Sequence, residues 1–438
     1  MGVRVLAVRG VRPACFVLAA LAVSACGGTN ESPSGGAEVA YLRDAARRRR
    51  ALEASLVDPT NGYSKLRLAR YATGADGDWD RLDAWNPRAA PVPPAALGRG
   101  APALPAGATA LAVPDEATWA PDAAPLSALV ALGEEAFFRY PAQLAPPALA
   151  ALPAGADARY GLWVDDARGV GGLVVTETAA NPAVALTCST CHADVVAGRL
   201  VPGLPSAHFD MGLALLDGGA VPDDMTAANL AAWGPGRLDV TTGDGSVPER
   251  FADLRSLRFV SHLQYDATVR QPDVVALAIR IETLIITGHG QAIRPPRIVA
   301  LALAAYLWSL SDALPAPPAT GGAGRTLFAA RCASCHAGDG LTGPPRAIAE
   351  VGTDARLGLS PERGTGLYRV PSLRGAGARP TLLHDGTLRG LDALLDPGRL
   401  AAGYAGGARG PGAVGGHAFG LDLSAADRAA LLEYVSSL

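Results

Sequence analysis

Four cysteines and two histidines stand in two matching runs, Cys188-Ser189-Thr190-Cys191-His192 and Cys332-Ala333-Ser334-Cys335-His336. Cysteines three positions apart fall on one side of a helical turn, and the imidazole directly behind them turns towards the same point. Zinc is the rival occupant, but zinc sites rarely place histidine immediately after the second cysteine. The C-x-x-C-H order is the attachment signal for c-type haem, whose vinyl groups take both thiols while the histidine binds the iron from one side. Two runs therefore predict two covalently bound haem c groups. Cys188, Cys191, Cys332 and Cys335 are the attachment points, and His192 and His336 the proximal iron ligands. The other two cysteines, Cys15 and Cys26, lie at the N-terminus, so no disulfide framework is left to build.

The elements that must position these runs are helical. The chain has 438 residues, a net charge of −3 and 5% aromatics, with 52 glycines and 35 prolines. Nothing in that balance points to nucleic acid, and the one basic cluster, Arg47 to Arg50, is short. Abundant alanine, glycine and proline predict a mostly α fold of short helices joined by long ordered loops. Apolar residues at helical spacing mark 125–140, 273–286 and 295–310, the last opened by proline where helices tolerate it. A final helix ends the chain, with Ser424 as its N-cap. Residues 315–320 read as a linker between an N-terminal haem domain, 126–314, and a C-terminal one, 321–438. Ahead of them, 26–57 reads as a tether and short helix, and 58–125 is rich in proline and alanine without clear periodicity.

The first 25 residues read as an export signal: Arg4, Arg9 and Arg12 precede an apolar run at 14–23 that is too short to span a bilayer. Its end, "LAVSAC", resembles a bacterial lipobox, with Cys26 the lipidated residue. The expectation is a periplasmic protein attached to the outer membrane through that lipid anchor alone.

"ALGEEAFF", the helix ending "ALAAYLWSL", "GRTLFAARCASCH" and "GTGLYRVPSLRGAGARPTLLHDGTLRGLDALLDP" together resemble the bacterial di-haem cytochrome c peroxidase superfamily, including its methylamine-utilisation and rubber-oxygenase branches. The likeness runs over about residues 126–438 and is strongest in the second half. It implies two cytochrome c-like, mostly helical modules whose haems exchange electrons, with a periplasmic donor or acceptor and peroxide or oxygen as partners. It also implies roles for single residues. His208 matches the histidine that caps the first haem in the peroxidases, and Met211 is the alternative. The peroxidases' methionine ligand to the second haem has no counterpart, since Met1, Met211 and Met225 all precede that module. His417, Tyr404 and His384 are the candidates there, His417 matching the rubber-oxygenase branch and Tyr404 the methylamine-utilisation branch. Arg374 is the candidate partner of a haem propionate. Glu282 is the nearest acidic residue in order to the peroxidases' acid–base group, and Trp233 a candidate electron bridge. His262 and His289 read as hydrogen-bonded or surface histidines. An electron-transfer relay with both irons six-coordinate is the other function class.

Overall fold

The computed structural model describes residues 36–100, 103–122, 125–241, 243–318 and 322–438. The export signal and Cys26 lie outside the described residues. Helix makes up 37% of the structure and strand 12%, so the fold is mixed rather than mostly α. The correction comes from a four-stranded antiparallel sheet, in spatial order Ala89–Pro91, Leu173–Thr176, Ala183–Leu186 and Gln143–Leu144. Its two central strands are four-residue runs of valine, leucine and alanine apart from Thr176, almost wholly buried. Runs that short and that apolar carry no period by which sequence alone separates strand from helix.

Two helices form the centre of the larger core. Val274–Gly288 starts at Asp273, whose side chain accepts from the Ala276 N–H, and Arg297–Ser309 follows Pro296. Both are apolar around most of their circumference and both are buried, as a helix without a polar face must be. Among the described residues no helix is long and apolar enough to cross a membrane.

Residues read as a tether and short helix, together with part of 58–125, cover these helices. Helices Gly36–Arg43 and Ala45–Ser55 lie against them, and Tyr41, Tyr71 and Trp79 share one apolar cluster with Phe137, Ile285 and Leu301. Ala89–Pro91 adds the edge strand.

One helix crossing occurs twice. Leu129–Arg139 meets Arg297–Ser309 at Gly133, where an added Cβ would strike the Ala302 carbonyl and Tyr306. Gly322–Arg331 meets Ala425–Ser436 at Gly324, where it would strike the Ala430 carbonyl and Tyr434. Four residues beyond each glycine a phenylalanine meets that tyrosine, Phe137 with Tyr306 and Phe328 with Tyr434, both at 5.5 Å between ring centres. Backbones approach this closely only where the side chain is a hydrogen, so each glycine fixes its crossing.

A loop segment is also duplicated, at a constant interval of 119 residues: 250–273 and 369–392. Arg250, Leu254, Arg255, Leu263, Asp266, Thr268, Arg270 and Asp273 all recur at that interval. Each copy has a 3₁₀ turn, Leu257–Phe259 or Ala376–Ala378, and then a two-stranded hairpin. Backbone φ is positive at matching places, Gln264 with Leu383 and Ala267 with Gly386. The copies face each other reciprocally: the Arg250 N–H donates to the His384 carbonyl at 3.0 Å and the Arg369 N–H to the Tyr265 carbonyl at 2.8 Å. Such an exchange is what a two-fold relation produces.

Candidate haem sites

Each C-x-x-C-H run forms one helical turn. Thr187 caps the first through a reciprocal bond with Thr190, and the Trp163 indole N–H donates to the Ser189 carbonyl at 3.1 Å. The second continues from helix Gly322–Arg331, with the Cys332 N–H on the Phe328 carbonyl and the His336 N–H on the Cys332 carbonyl. Cys188 packs against the larger core cluster and Cys191 against the smaller one. Burial pushes both thiols up to about 12 and that of Cys332 to about 11, so the chain alone holds them protonated.

The rings of His192 and His336 are each oriented by a backbone carbonyl at Nδ1, which leaves Nε2 open. His192 Nδ1 lies 2.9 Å from the Ala252 carbonyl and His336 Nδ1 lies 3.1 Å from that of Leu341. The Pro371 carbonyl, 119 residues beyond Ala252, also acts on the His336 ring. Burial lowers the His192 ring to about 4 and lowers His336 too, which keeps both in the neutral form that coordinates a metal.

His417 faces His336, with 6.4 Å between ring centres. Two metal–nitrogen bonds of about 2 Å, plus about 1 Å from each nitrogen to its ring centre, fill roughly that gap. The residues present therefore fit an iron held between His336 and His417. Burial lowers His417 to about 4, with His336 adding to the effect, and its Nδ1 is buried without a hydrogen-bond partner. His417 also has φ +45°. Fully buried Arg399 holds this conformation, donating to the carbonyls of Val414, Gly416 and His417, while the His417 N–H bonds Val351. The other candidates are placed differently. His384 stacks on Tyr368 at 4.7 Å, and Tyr404 packs against the edge of the second core.

The first site has no such pair. His208 is exposed, and among the described residues no histidine faces His192 as His417 faces His336. Met211 is buried in the cluster that receives Cys191. His289 bonds the Pro141 carbonyl, and His262 lies 3.0 Å from the Ser261 hydroxyl.

Arg374 does not present a free fork. Its three donor groups go to the carbonyls of Pro315, Asp339 and Leu314, which ties the linker to the loop behind His336. Trp233 is enclosed in the smaller core, its N–H on the Gly245 carbonyl at 2.8 Å. Glu282 is fully buried far from solvent, accepting from Tyr41 at 3.0 Å and Tyr71 at 2.7 Å, with Arg297 at 3.2 Å. Sequence reading passed over the arginines that do line a cavity between the repeats, Arg250, Arg369 and Arg379, and also Arg399. The 119-residue repeat was the signal that singles out the first two.

The cytochrome c family model matches residues 322–438. These residues are a cytochrome c domain. The domain implies covalently bound haem c and, with it, a haem-based electron-transfer protein. No curated relative and no solved structure matches the chain.

Proposed function

We propose that the protein is a two-haem oxidoreductase of the di-haem peroxidase type, passing electrons between haems attached at Cys188/Cys191 and Cys332/Cys335. The observation that carries this reading is duplication. The glycine–tyrosine helix crossing and the 119-residue repeat of the cytochrome c domain each recur beside the first C-x-x-C-H run. A bound haem supplies one-electron chemistry at iron. The chain supplies His336 and His417 to saturate the second site, and leaves the first without an opposed histidine, as peroxide or oxygen chemistry requires of the reacting iron.

Replacing Cys188 and Cys191 by alanine, or Cys332 and Cys335, should each lower the mass of the holoprotein by one haem. A chain that carries a single haem, lost only with the second pair, sinks the two-haem reading. Peroxidase chemistry further requires a high-spin ferric signal at the first site, as isolated or after half-reduction. A relay with two six-coordinate irons is favoured by one observation, the burial of Met211 in the cluster against which Cys191 packs. Two persistently low-spin haems, one of them losing that state in Met211→Ala, would establish it.

We also propose, from the N-terminal sequence, that the protein is periplasmic and held by a lipid anchor at Cys26. Cys26→Ser should move it from the membrane fraction to the soluble periplasmic fraction, and an unchanged distribution counts against lipidation.

A further inference from the structure

Between the two repeats lies a small cavity, about 10 Å³, lined by Arg250, Asp253, Ser256, Arg369, Ser372 and Arg379, among others. The repeat relation sorts its charges. Arg250 has Arg369 as its counterpart, and Arg255, paired with Asp253, has Arg374. Two buried residues break the match. Asp253 corresponds to uncharged Ser372, and Arg379 corresponds to apolar Val260. These two unmatched charges form an ion pair, Arg379 Nε to Asp253 Oδ2 at 2.8 Å, with both side chains nearly excluded from solvent.

Each end of the pair is tied to one proximal histidine. Asp253 directly follows Ala252, whose carbonyl accepts from His192 Nδ1. Arg379 donates to the Arg374 carbonyl at 3.2 Å, and the neighbouring Leu373 N–H shares the Leu341 carbonyl with His336 Nδ1. A chain of hydrogen bonds and peptide groups thus joins the two imidazoles through one buried carboxylate and one buried guanidinium.

We propose that the Asp253–Arg379 pair biases the two haem sites in opposite directions, favouring ferric iron beside His192 and ferrous iron beside His336. A fixed negative charge stabilises the more positive oxidation state, and a fixed positive charge disfavours it. Inside a water-poor junction such charges act with little screening. The matched arginines act alike on both sites, so among these buried charges the unmatched pair carries the asymmetric contribution, over and above the difference in ligands. One electron is redistributed and no bond is made or broken. The inference rests on the two-haem reading above.

The test is a spectroelectrochemical titration of the full-length holoprotein, with each midpoint assigned from that haem's own spectrum. Asp253→Asn should raise the midpoint of the His192 site more than that of the His336 site, and Arg379→Gln should lower the His336 site more. Either change should cut the equilibrium constant between the sites about tenfold, which for one electron is about 59 mV. Asp253→Glu should restore most of the difference. Arg379→Gln leaves Asp253 paired with Arg255 and so carries the test should Asp253→Asn fail to fold. Midpoints that stay fixed, or that move together by equal amounts, overturn the inference while two haems by mass leave the two-haem reading standing. A single haem by mass overturns both.

Discussion

His417→Ala is expected to turn the second haem from low-spin to high-spin while leaving it attached at Cys332 and Cys335. The attachment residues lie on a turn that ends at His336, and none of their backbone bonds involves the loop that carries His417. His417 is set apart by how much surrounding structure fixes it. A non-glycine residue at positive φ costs about 1–3 kcal/mol and persists only where its neighbours over-determine it. Here Arg399 supplies bonds to three carbonyls of that loop and Val351 accepts from the His417 N–H. Arg399→Met should accordingly give a mixture of spin states, whereas Arg399→Lys, keeping charge but not the fork, should lie between it and the native protein. The chain has no methionine after Met225, so the second iron lacks the thioether that raises cytochrome c potentials. Its midpoint should lie well below that of a Met-ligated haem. A spectrum unchanged in His417→Ala but altered in Tyr404→Phe would assign the ligand to the tyrosine instead.

The contrast between His336 and His417 shows what a sequence exposes. Covalent attachment needs its thiols and first ligand on one turn, so contiguous residues announce it. A ligand from the opposite side arrives through tertiary structure, and the 80 residues between His336 and His417 carry no spacing rule. Helices were equally legible where caps and apolar faces agree, as at Asp273 and Ser424, whose side chains accept from the predicted first turns. The two-residue strands of the duplicated hairpins are too short to show alternation. Buried arginines were the least legible part. In composition Arg379 and Arg399 look like solvated charge, and only the fold shows their donors spent on backbone carbonyls and one aspartate. The same blindness made Glu282 look catalytic because of its place in the order of the chain.

Glu282→Leu should lower stability by about 3–5 kcal/mol, the usual loss when one partner of a buried charge pair is removed. Glu282 stands on helix Val274–Gly288 where the N-terminal cover meets the core, and it joins pieces far apart in the chain. Tyr41 and Tyr71 both donate to its Oε2, and Arg297 stands against Oε1 while also bonding Asp80. Burial, with the neighbouring carboxylate, pushes both tyrosines well above the ordinary phenol range, so they remain donors at every working pH. For Arg297, burial opposes the charge but Glu282 and Asp80 outweigh it and hold the guanidinium protonated. Leucine would leave two phenol hydroxyls without an acceptor, at about 1–3 kcal/mol each, although Asp80 would still neutralise Arg297. Glutamine keeps the shape and one acceptor oxygen, so Glu282→Gln should lose less. Denaturant midpoints followed by tryptophan fluorescence measure both, with the haem spectra of the folded variants expected to match the native protein. If Glu282→Gln instead keeps full stability and abolishes peroxide turnover, Glu282 is an acid–base group, and the N-terminal cover is held by its apolar contacts alone.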